Sequence, residues 1–182
     1  MRMVAPLYYT ADMVRALPDD GKKYETVYGE LLVNPAPAER HERVFGRLFL
    51  AVAKYNERER IGALYGSRSD LSWGPDILVQ PDLFIVDLEQ ARTGRWARMQ
   101  RLMLAVEILS PSSVRSDRFT KRVLYQRVGI DTCWVIDTDA RAVEVWTPGA
   151  TFPVTEESVL RWHPAGAAAA LDIPLAELFA PL

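Results

Sequence analysis

Two acidic residues interrupt the most apolar segments of this chain. Asp82 lies in the apolar run from Ile77 to Val86, and Glu107 lies in the run from Leu102 to Leu109. Burying a carboxylate in a packed sheet is costly unless the group is paired, protonated or bound to a metal. If the two runs form neighbouring strands, both carboxylates can bind one hard divalent cation, for which we expect Mg²⁺ with Mn²⁺ as a substitute.

Length and composition indicate one domain over residues 1–182, because 182 residues with 49% hydrophobic content can bury a substantial core. The single cysteine, Cys133, excludes an internal disulfide, and two histidines are too few for zinc sites of the Cys/His type. No segment is long and apolar enough to span a membrane. The N-terminus lacks the apolar stretch of a secretory signal, so we expect a cytoplasmic protein.

The charge is distributed unevenly. The chain carries a formal net charge of −2, whereas residues 88–127 contain nine basic side chains and three acidic ones. A basic zone around a pair of carboxylates suits a substrate that bears phosphates. The alternative is that these residues form solvated helix and loop faces.

Periodicity and turn signals predict strands interrupted by helices. Thr10 is expected to cap a short helix, and Tyr28-Gly29 to form a hairpin turn. The predicted helices are a short one to about Leu17, a long one from Ala38 to about Glu59, Asp117 to Val128, and a terminal turn at Leu175 to Phe179. The predicted strands are Tyr24 to Val27, Glu30 to Val33, Ala63 to Trp73, Ile77 to Val86, Leu102 to Leu109, Thr132 to Asp137 and Ala142 to Thr147. This order predicts an α/β or α+β fold with a mixed β-sheet flanked by helices.

Lys121 is a candidate for the cation beside the two carboxylates. It lies on the helix predicted after the Glu107 strand, and Asp117, Lys121 and Tyr125 share one helical face. If that face packs over the sheet, Lys121 can orient a water or stabilise a phosphate as a point charge. From the spacing alone, an exposed Asp117–Lys121 pair is equally consistent with the sequence.

These residues together resemble a known family. The matching blocks are Tyr24-Glu25, Gly29-Glu30-Leu31, His41, Pro81-Asp82, Glu107 to Ser113, Asp117, Lys121, Tyr125 and Trp134 to Asp137. In order and spacing they resemble the Uma-type putative restriction endonuclease family of the PD-(D/E)XK nuclease superfamily, from about Tyr24 to Phe179.

The resemblance implies a restriction-endonuclease-like core and a Mg²⁺-dependent endonuclease that hydrolyses DNA. It implies that Asp82 and Glu107 are metal ligands and catalytic residues. The superfamily's lysine position is occupied by Leu109, so Lys121 becomes the displaced catalytic lysine. Glu30 and His41 match further family positions and are predicted to be auxiliary site residues, although each is also consistent with a structural role.

Arg95 and Arg98 are predicted to border the cleft and bind nucleic acid, and Trp96 between them is a candidate for stacking on a base. A homodimer is possible because enzymes that cut duplexes often pair two sites. The rival function is a non-catalytic module that binds nucleic acid or protein. Retention of Asp82, Glu107 and Lys121 favours catalysis, since apolar replacements would often stabilise a mere scaffold.

Overall fold

The computed structural model describes residues 7–66 and 68–181, and within them it contains five α-helices and twelve strands, with one 3₁₀-helix and one π-helix. The helices are α1 (Ala11–Arg15), α2 (Glu39–Glu59), α3 (Leu88–Arg92), the 3₁₀-helix (Trp96–Arg98), the π-helix (Ser116–Lys121), α4 (Arg122–Arg127) and α5 (Leu175–Leu178). The strands are β1 (Lys23–Val27), β2 (Glu30–Asn34), β3 (Ala63–Gly66), β4 (Leu71–Gly74), β5 (Ile77–Val79), β6 (Leu83–Val86), β7 (Leu102–Ile108), β8 (Cys133–Asp137), β9 (Ala142–Trp146), β10 (Val154–Glu156), β11 (Val159–Trp162) and β12 (Leu171–Pro174).

A six-stranded sheet with the order β10-β9-β8-β7-β6-β3 forms the centre of the fold. Strands β7 and β8 are parallel and the other neighbours are antiparallel, so the sheet is mixed, as predicted. Parallel neighbours require a crossover connection. The π-helix and α4 lie between β7 and β8 in sequence and supply that crossover.

Both faces of this sheet are covered. Helix α2 has buried residues at intervals of three or four, including Val44, Leu48 and Val52, and it packs against Leu83 and Ile85 of β6. The opposite face presents the alternate residues of β6 and β7, such as Phe84 and Ala105, to α4 and to the second sheet. Alternation along the strands therefore decides which residues face which layer.

The second sheet has the order β2-β1-β5-β4. Its hairpin β1–β2 turns at Tyr28 and Gly29, which have φ values of 52° and 82°. Positive φ at both central residues defines the turn type that matches the twist of a two-residue hairpin, and glycine adopts it without strain. The predicted hairpin is confirmed, with Val27 paired to Glu30.

The run from Ile77 to Val86 is not one strand. It divides into β5 and β6, which belong to different sheets, and the run predicted from Ala63 likewise divides into β3 and β4. Pro81 has no N–H to donate to a sheet ladder, so the chain can change sheets there. Asp82 consequently lies at the point where the chain enters the six-stranded sheet, and its N–H donates to the Val106 carbonyl at 3.0 Å.

The C-terminal part is more ordered than its weak sequence pattern indicated. After β9 the chain adds β10 to the six-stranded sheet and then forms the separate hairpin β11–β12. The predicted terminal helical turn is present as α5. Within residues 7–66 and 68–181, no helix combines the length and apolar composition needed to cross a bilayer.

Candidate active site

Asp82 and Glu107 lie on the same face of the six-stranded sheet. Side chains two residues apart in a strand point to the same face, so Asp82 shares its face with Phe84 and Glu107 shares its face with Ala105. Phe84 and Ala105 belong to one core cluster. The Asp82 Oδ2 accepts a hydrogen bond at 2.8 Å from the N–H of Ile108, the residue that follows Glu107. Asp82 and Glu107 are only 7% and 1% exposed, respectively. The two carboxylates therefore lie on one face of neighbouring parts of the sheet, which is what a shared cation site requires.

Lys121 lies directly beside Glu107. Its Nζ is 2.7 Å from Glu107 Oε1, 2.9 Å from Glu25 Oε1 and 3.6 Å from Asp117 Oδ1, and its side chain has no exposed surface. Among the residues that the structure describes, none of these carboxylates is aligned to accept a hydrogen bond from Nζ. The helical face predicted from Asp117, Lys121 and Tyr125 therefore packs on the sheet, and the exposed-pair alternative is wrong.

Glu25 is the member of this cluster that the sequence did not assign to the site. It is fully buried in β1, and its Oε1 accepts a hydrogen bond at 2.7 Å from the N–H of Gln80. Lys23, Glu25 and Val27 alternate onto the face of β1 that packs on the core. The sequence did contain a signal for this: Glu25 is two residues from Val27 in a predicted strand, so both side chains point to the same, buried face.

Asp82 has two basic neighbours of its own. Lys23 Nζ lies 3.4 Å from Asp82 Oδ1, and His41 Nε2 lies 3.3 Å from Asp82 Oδ2. His41 comes from the first turn of α2, on the other side of the sheet, and reaches Asp82 where β6 begins. The structure thus brings the predicted auxiliary residue His41 into contact with a predicted metal ligand.

The segment after β7 supplies three groups from one helical face. Asp117 and Lys121 belong to the π-helix, and Tyr125 follows in α4. The Tyr125 hydroxyl donates to Glu107 Oε1, the same oxygen that contacts Lys121. The N–H of Asp117 donates to the Ser113 carbonyl at 2.8 Å. π-Helical turns occur often at functional sites, and this one places Lys121 against Glu107 and Asp117 against Lys121.

The acidic groups of the cluster respond differently to burial. Burial raises the pKa of Glu107 to about 8, although Lys121 opposes the shift. Burial also raises the pKa of Asp117. Burial alone would raise the pKa of Asp82 as well, but Lys23 and His41 outweigh it and hold that pKa well below its ordinary value. Asp82 therefore stays ionised at a lower pH than Glu107 or Asp117.

The two lysines remain charged. Burial alone would lower the pKa of Lys121, but Glu107 and the other carboxylates raise it well above its ordinary value. The same competition, with Glu25 as the main opposing group, raises the pKa of Lys23. The cluster then contains four carboxyl groups and two lysines, so it carries more acid than its lysines can neutralise.

A cleft of about 560 Å³ opens above part of this cluster. The titratable residues that line it include Lys23, His41, Asp82, Glu107 and Asp117. Its outer walls contain apolar residues such as Phe45, Leu17 and Pro37. Glu25 and Lys121 are not among its lining residues, so they support the site from behind.

Three residues predicted near the site lie elsewhere. Glu30 is exposed at the start of β2, beside a smaller groove, because it lies at the turn end of the hairpin, where it pairs with Val27. Arg95 and Arg98 precede β7 and do not line the cleft. Glu107 lies in the second half of that strand, and each residue of a strand adds about 3.3 Å. The two arginines are therefore separated from Glu107 by most of the length of β7. Trp96 is partly exposed and packs edge-on against Tyr65.

The fold is α/β, a mixed sheet flanked by helices, with acidic residues and a lysine gathered on one face. The crystal structure of a putative nuclease belonging to DUF820 from Anabaena variabilis has the same fold, with a TM-score of 0.79 and 19% sequence identity. The similarity covers 94% of this chain and 98% of that one.

The family model Uma2, described as putative restriction endonuclease, matches residues 11–172. The chain therefore belongs to this family, and the resemblance seen in the sequence is confirmed. No curated protein matches the sequence.

Proposed function

We propose that this protein is a metal-dependent endonuclease that hydrolyses phosphodiester bonds in DNA. The observation that carries the proposal is the excess of buried carboxyl groups at the floor of an open cleft. Structural sheets seldom retain such groups without compensation. Asp82 and Glu107 both line the cleft, and we assign them to bind Mg²⁺, or Mn²⁺ as a substitute.

The donor set suits such a cation. Burial raises the pKa of Glu107 and of Asp117, and a divalent ion beside them would favour their ionised forms. Across residues 7–66 and 68–181, no three or more His, Cys, Asp or Glu side chains form a metal-holding group. The protein would therefore contribute two carboxylates, which is common for Mg²⁺ because water and substrate phosphate supply its other ligands. When bound, the cation stabilises negative charge on the phosphate and increases the acidity of a bound water.

The remaining residues position these two ligands. Lys121 and Tyr125 both contact Oε1 of Glu107, which fixes the orientation of that carboxylate. Lys121 is our candidate for the displaced lysine of the superfamily, because Leu109 is buried in the apolar core and has no charge, and we assign Lys121 to hold Glu107 in place. His41 and the Ile108 N–H share Oδ2 of Asp82 and orient it in the same way.

Cleavage of supercoiled plasmid tests the proposal, because a closed circle has no ends and can be cut only internally. We expect nicked and linear products with Mg²⁺ or Mn²⁺ and none with a chelator. Asp82→Asn and Glu107→Gln should each reduce the rate by about 100-fold or more, since even outer partners of metal ligands contribute about 10–100-fold. The matched control is Asp12→Asn, because the Asp12 side chain is 92% exposed and does not itself line the cleft.

The same proteins distinguish the rival function. Calorimetric titration with Mn²⁺ should show binding by the parent and by Asp12→Asn, and its loss in Asp82→Asn. Circular dichroism must show that each variant is folded. A parent that binds DNA but neither binds Mn²⁺ nor cuts any plasmid would instead be a non-catalytic binding module.

A further inference from the structure

We propose that Lys23, and not Lys121, is the lysine that contacts the substrate phosphate in this cleft. The inference rests on the proposed function and divides the work between two lysines. Lys121 maintains the buried carboxylates from behind, whereas Lys23 meets the substrate from the front. Neither composition nor the superfamily pattern singles out Lys23, which became a candidate only from its position in β1.

Access separates the two lysines. The Lys121 side chain is 0% exposed, whereas the Lys23 side chain is 20% exposed, and only Lys23 lines the cleft. A charge-assisted hydrogen bond requires a phosphate oxygen within about 2.7–2.9 Å of the ammonium. A phosphate in the cleft can approach Lys23 without displacing protein, but it can approach Lys121 only by opening the core.

The distances to the nearest carboxylates also separate them. Lys121 Nζ lies 2.7 Å from Glu107 and 2.9 Å from Glu25, so its charge is closely paired. Lys23 lies farther from its acidic neighbours, at 3.4 Å from Asp82 and 3.9 Å from Glu25. An ammonium has three protons to donate, and Lys23 uses one of them in its hydrogen bond to Asp82 Oδ1. Lys23 therefore retains donor capacity for a further anion in the cleft.

The arginines of the described cleft lining and Lys22 are well exposed and pair with other acids. Arg15 pairs with Asp12 at 2.9 Å, Lys22 with Asp20 at 2.8 Å and Arg68 with Asp19 at 3.9 Å; these three basic side chains are 45%, 49% and 68% exposed. Charges so exposed are screened by water and salt. Lys23 is the lysine of the described cleft lining whose ammonium lies beside a predicted metal ligand.

The chemistry gives Lys23 a definite task. In hydrolysis, a water oxygen forms a bond to phosphorus and the bond from phosphorus to one sugar oxygen breaks. One water proton reaches the leaving oxygen and the other reaches solvent. Negative charge accumulates on the non-bridging oxygens during this exchange, and an ammonium fixed beside them stabilises it. Lys23 would donate to one non-bridging oxygen without gaining or losing a proton.

The first test measures access independently of activity. The folded protein is treated with formaldehyde and a borohydride reagent, and methylation of each lysine is followed by mass spectrometry. Lys54, exposed on α2, is the internal standard. We expect Lys23 to react and Lys121 to remain unmodified until the protein unfolds. A short DNA duplex, added with Ca²⁺ to prevent cleavage, should protect Lys23 but not Lys54.

The second test compares Lys23→Met with Lys23→Arg and with the control Lys54→Met. Lys23→Met should remain folded, bind the labelled duplex in Ca²⁺ roughly tenfold more weakly, and cut plasmid in Mg²⁺ about 100-fold more slowly. Lys23→Arg retains a cation and should recover part of both losses. Lys54→Met should match the parent.

The outcomes separate this inference from the proposed function. If Lys121 is methylated and protected by DNA, or if Lys23→Met binds and cuts like the parent, the assignment is wrong. If the parent cuts no DNA but Lys23 is protected and its replacement weakens binding, the nuclease proposal fails while the phosphate contact stands. If Lys23→Met does not fold, the assignment is tested by two other results: whether DNA protects Lys23 of the parent from methylation, and whether Lys23→Arg binds and cuts DNA.

Discussion

Replacing Lys121 with methionine should be one of the most damaging single substitutions in this protein. The side chain is fully buried among Glu25, Glu107 and Asp117, so Lys121→Met leaves three carboxyl groups without their shared cation. Removing one partner from a buried ion pair costs about 3–5 kcal/mol. Because domains are stable by only about 5–15 kcal/mol, the variant should lie close to unfolding.

A double-mutant cycle shows whether this loss comes from the charges. Glu107→Gln removes the acid nearest to Lys121, and Gln retains the shape of the protonated group. Lys121→Met should then cost less in the Glu107→Gln background than in the parent. Contacting residues of one network couple by about 0.5–3 kcal/mol, and we expect the upper half of that range because both side chains are buried.

The loss should also depend on pH. The folded-state pKa of Glu107 is raised to about 8, so the folded protein binds a proton that the unfolded chain releases at a lower pH. Stability therefore falls as pH rises through that interval. Lys121 opposes this shift, so without it the fall should extend to higher pH. The cost of Lys121→Met should be smaller in mild acid than above pH 8.

Urea unfolding followed by circular dichroism measures these free energies at both pH values. Lys54→Met, an exposed lysine on α2, is the matched control and should change stability little. If Lys121→Met costs no more than that control, or if its effect adds independently to that of Glu107→Gln, the cluster is not held together by its charges.

Three further predictions concern the metal, the acid limit and DNA. Mg²⁺ should raise the thermal midpoint, and its affinity in calorimetry should increase up to about pH 8 because Glu107 must lose its proton to bind a cation; a pH-independent affinity would contradict this. His41→Asn should move acid unfolding to higher pH in a fluorescence titration. The lowered pKa of Asp82 contributes stability that is lost as the pH falls through that pKa. Because His41 helps to lower the Asp82 pKa, the loss should begin at a higher pH without it. If Arg95 and Arg98 contact phosphates, replacing both with alanine should make the dependence of DNA affinity on salt shallower by about 0.9 per lost contact; an unchanged slope would remove them from the interface.

Local signals in the sequence accounted for much of the fold. Tyr28-Gly29 fixed a hairpin because the turn requires two residues with positive φ, and the helix-spaced apolar residues of α2 identified its buried face. Asp82 and Glu107 stood out because each is a charge within an apolar run, and such a charge needs compensation wherever the chain folds. These inferences depend on near neighbours in the sequence.

The features that the sequence did not reveal depend on distant contacts. Lys23 and Glu25 reach the site only because β1 pairs with β5, and no local pattern fixes that pairing. The apolar run through Asp82 has the composition of one strand, and only the change of sheet at Pro81 shows that it is two. Arg95 and Arg98 were associated with the cleft by their charge, but charge composition carries no information about position.

The π-helix before α4 makes this part of the chain sensitive to its length. Successive residues of an α-helix are separated by about 100° around the axis, and those of the wider π-helix by somewhat less. Deleting one residue between Asp117 and Lys121 would therefore rotate Asp117 relative to Lys121 and Tyr125, and the three could no longer face the sheet together. Phe119 within this segment is 60% exposed and should accept many replacements. The π-helix can therefore vary in composition on its outer surface, whereas the number of its residues is fixed because Asp117 and Lys121 must both point inwards.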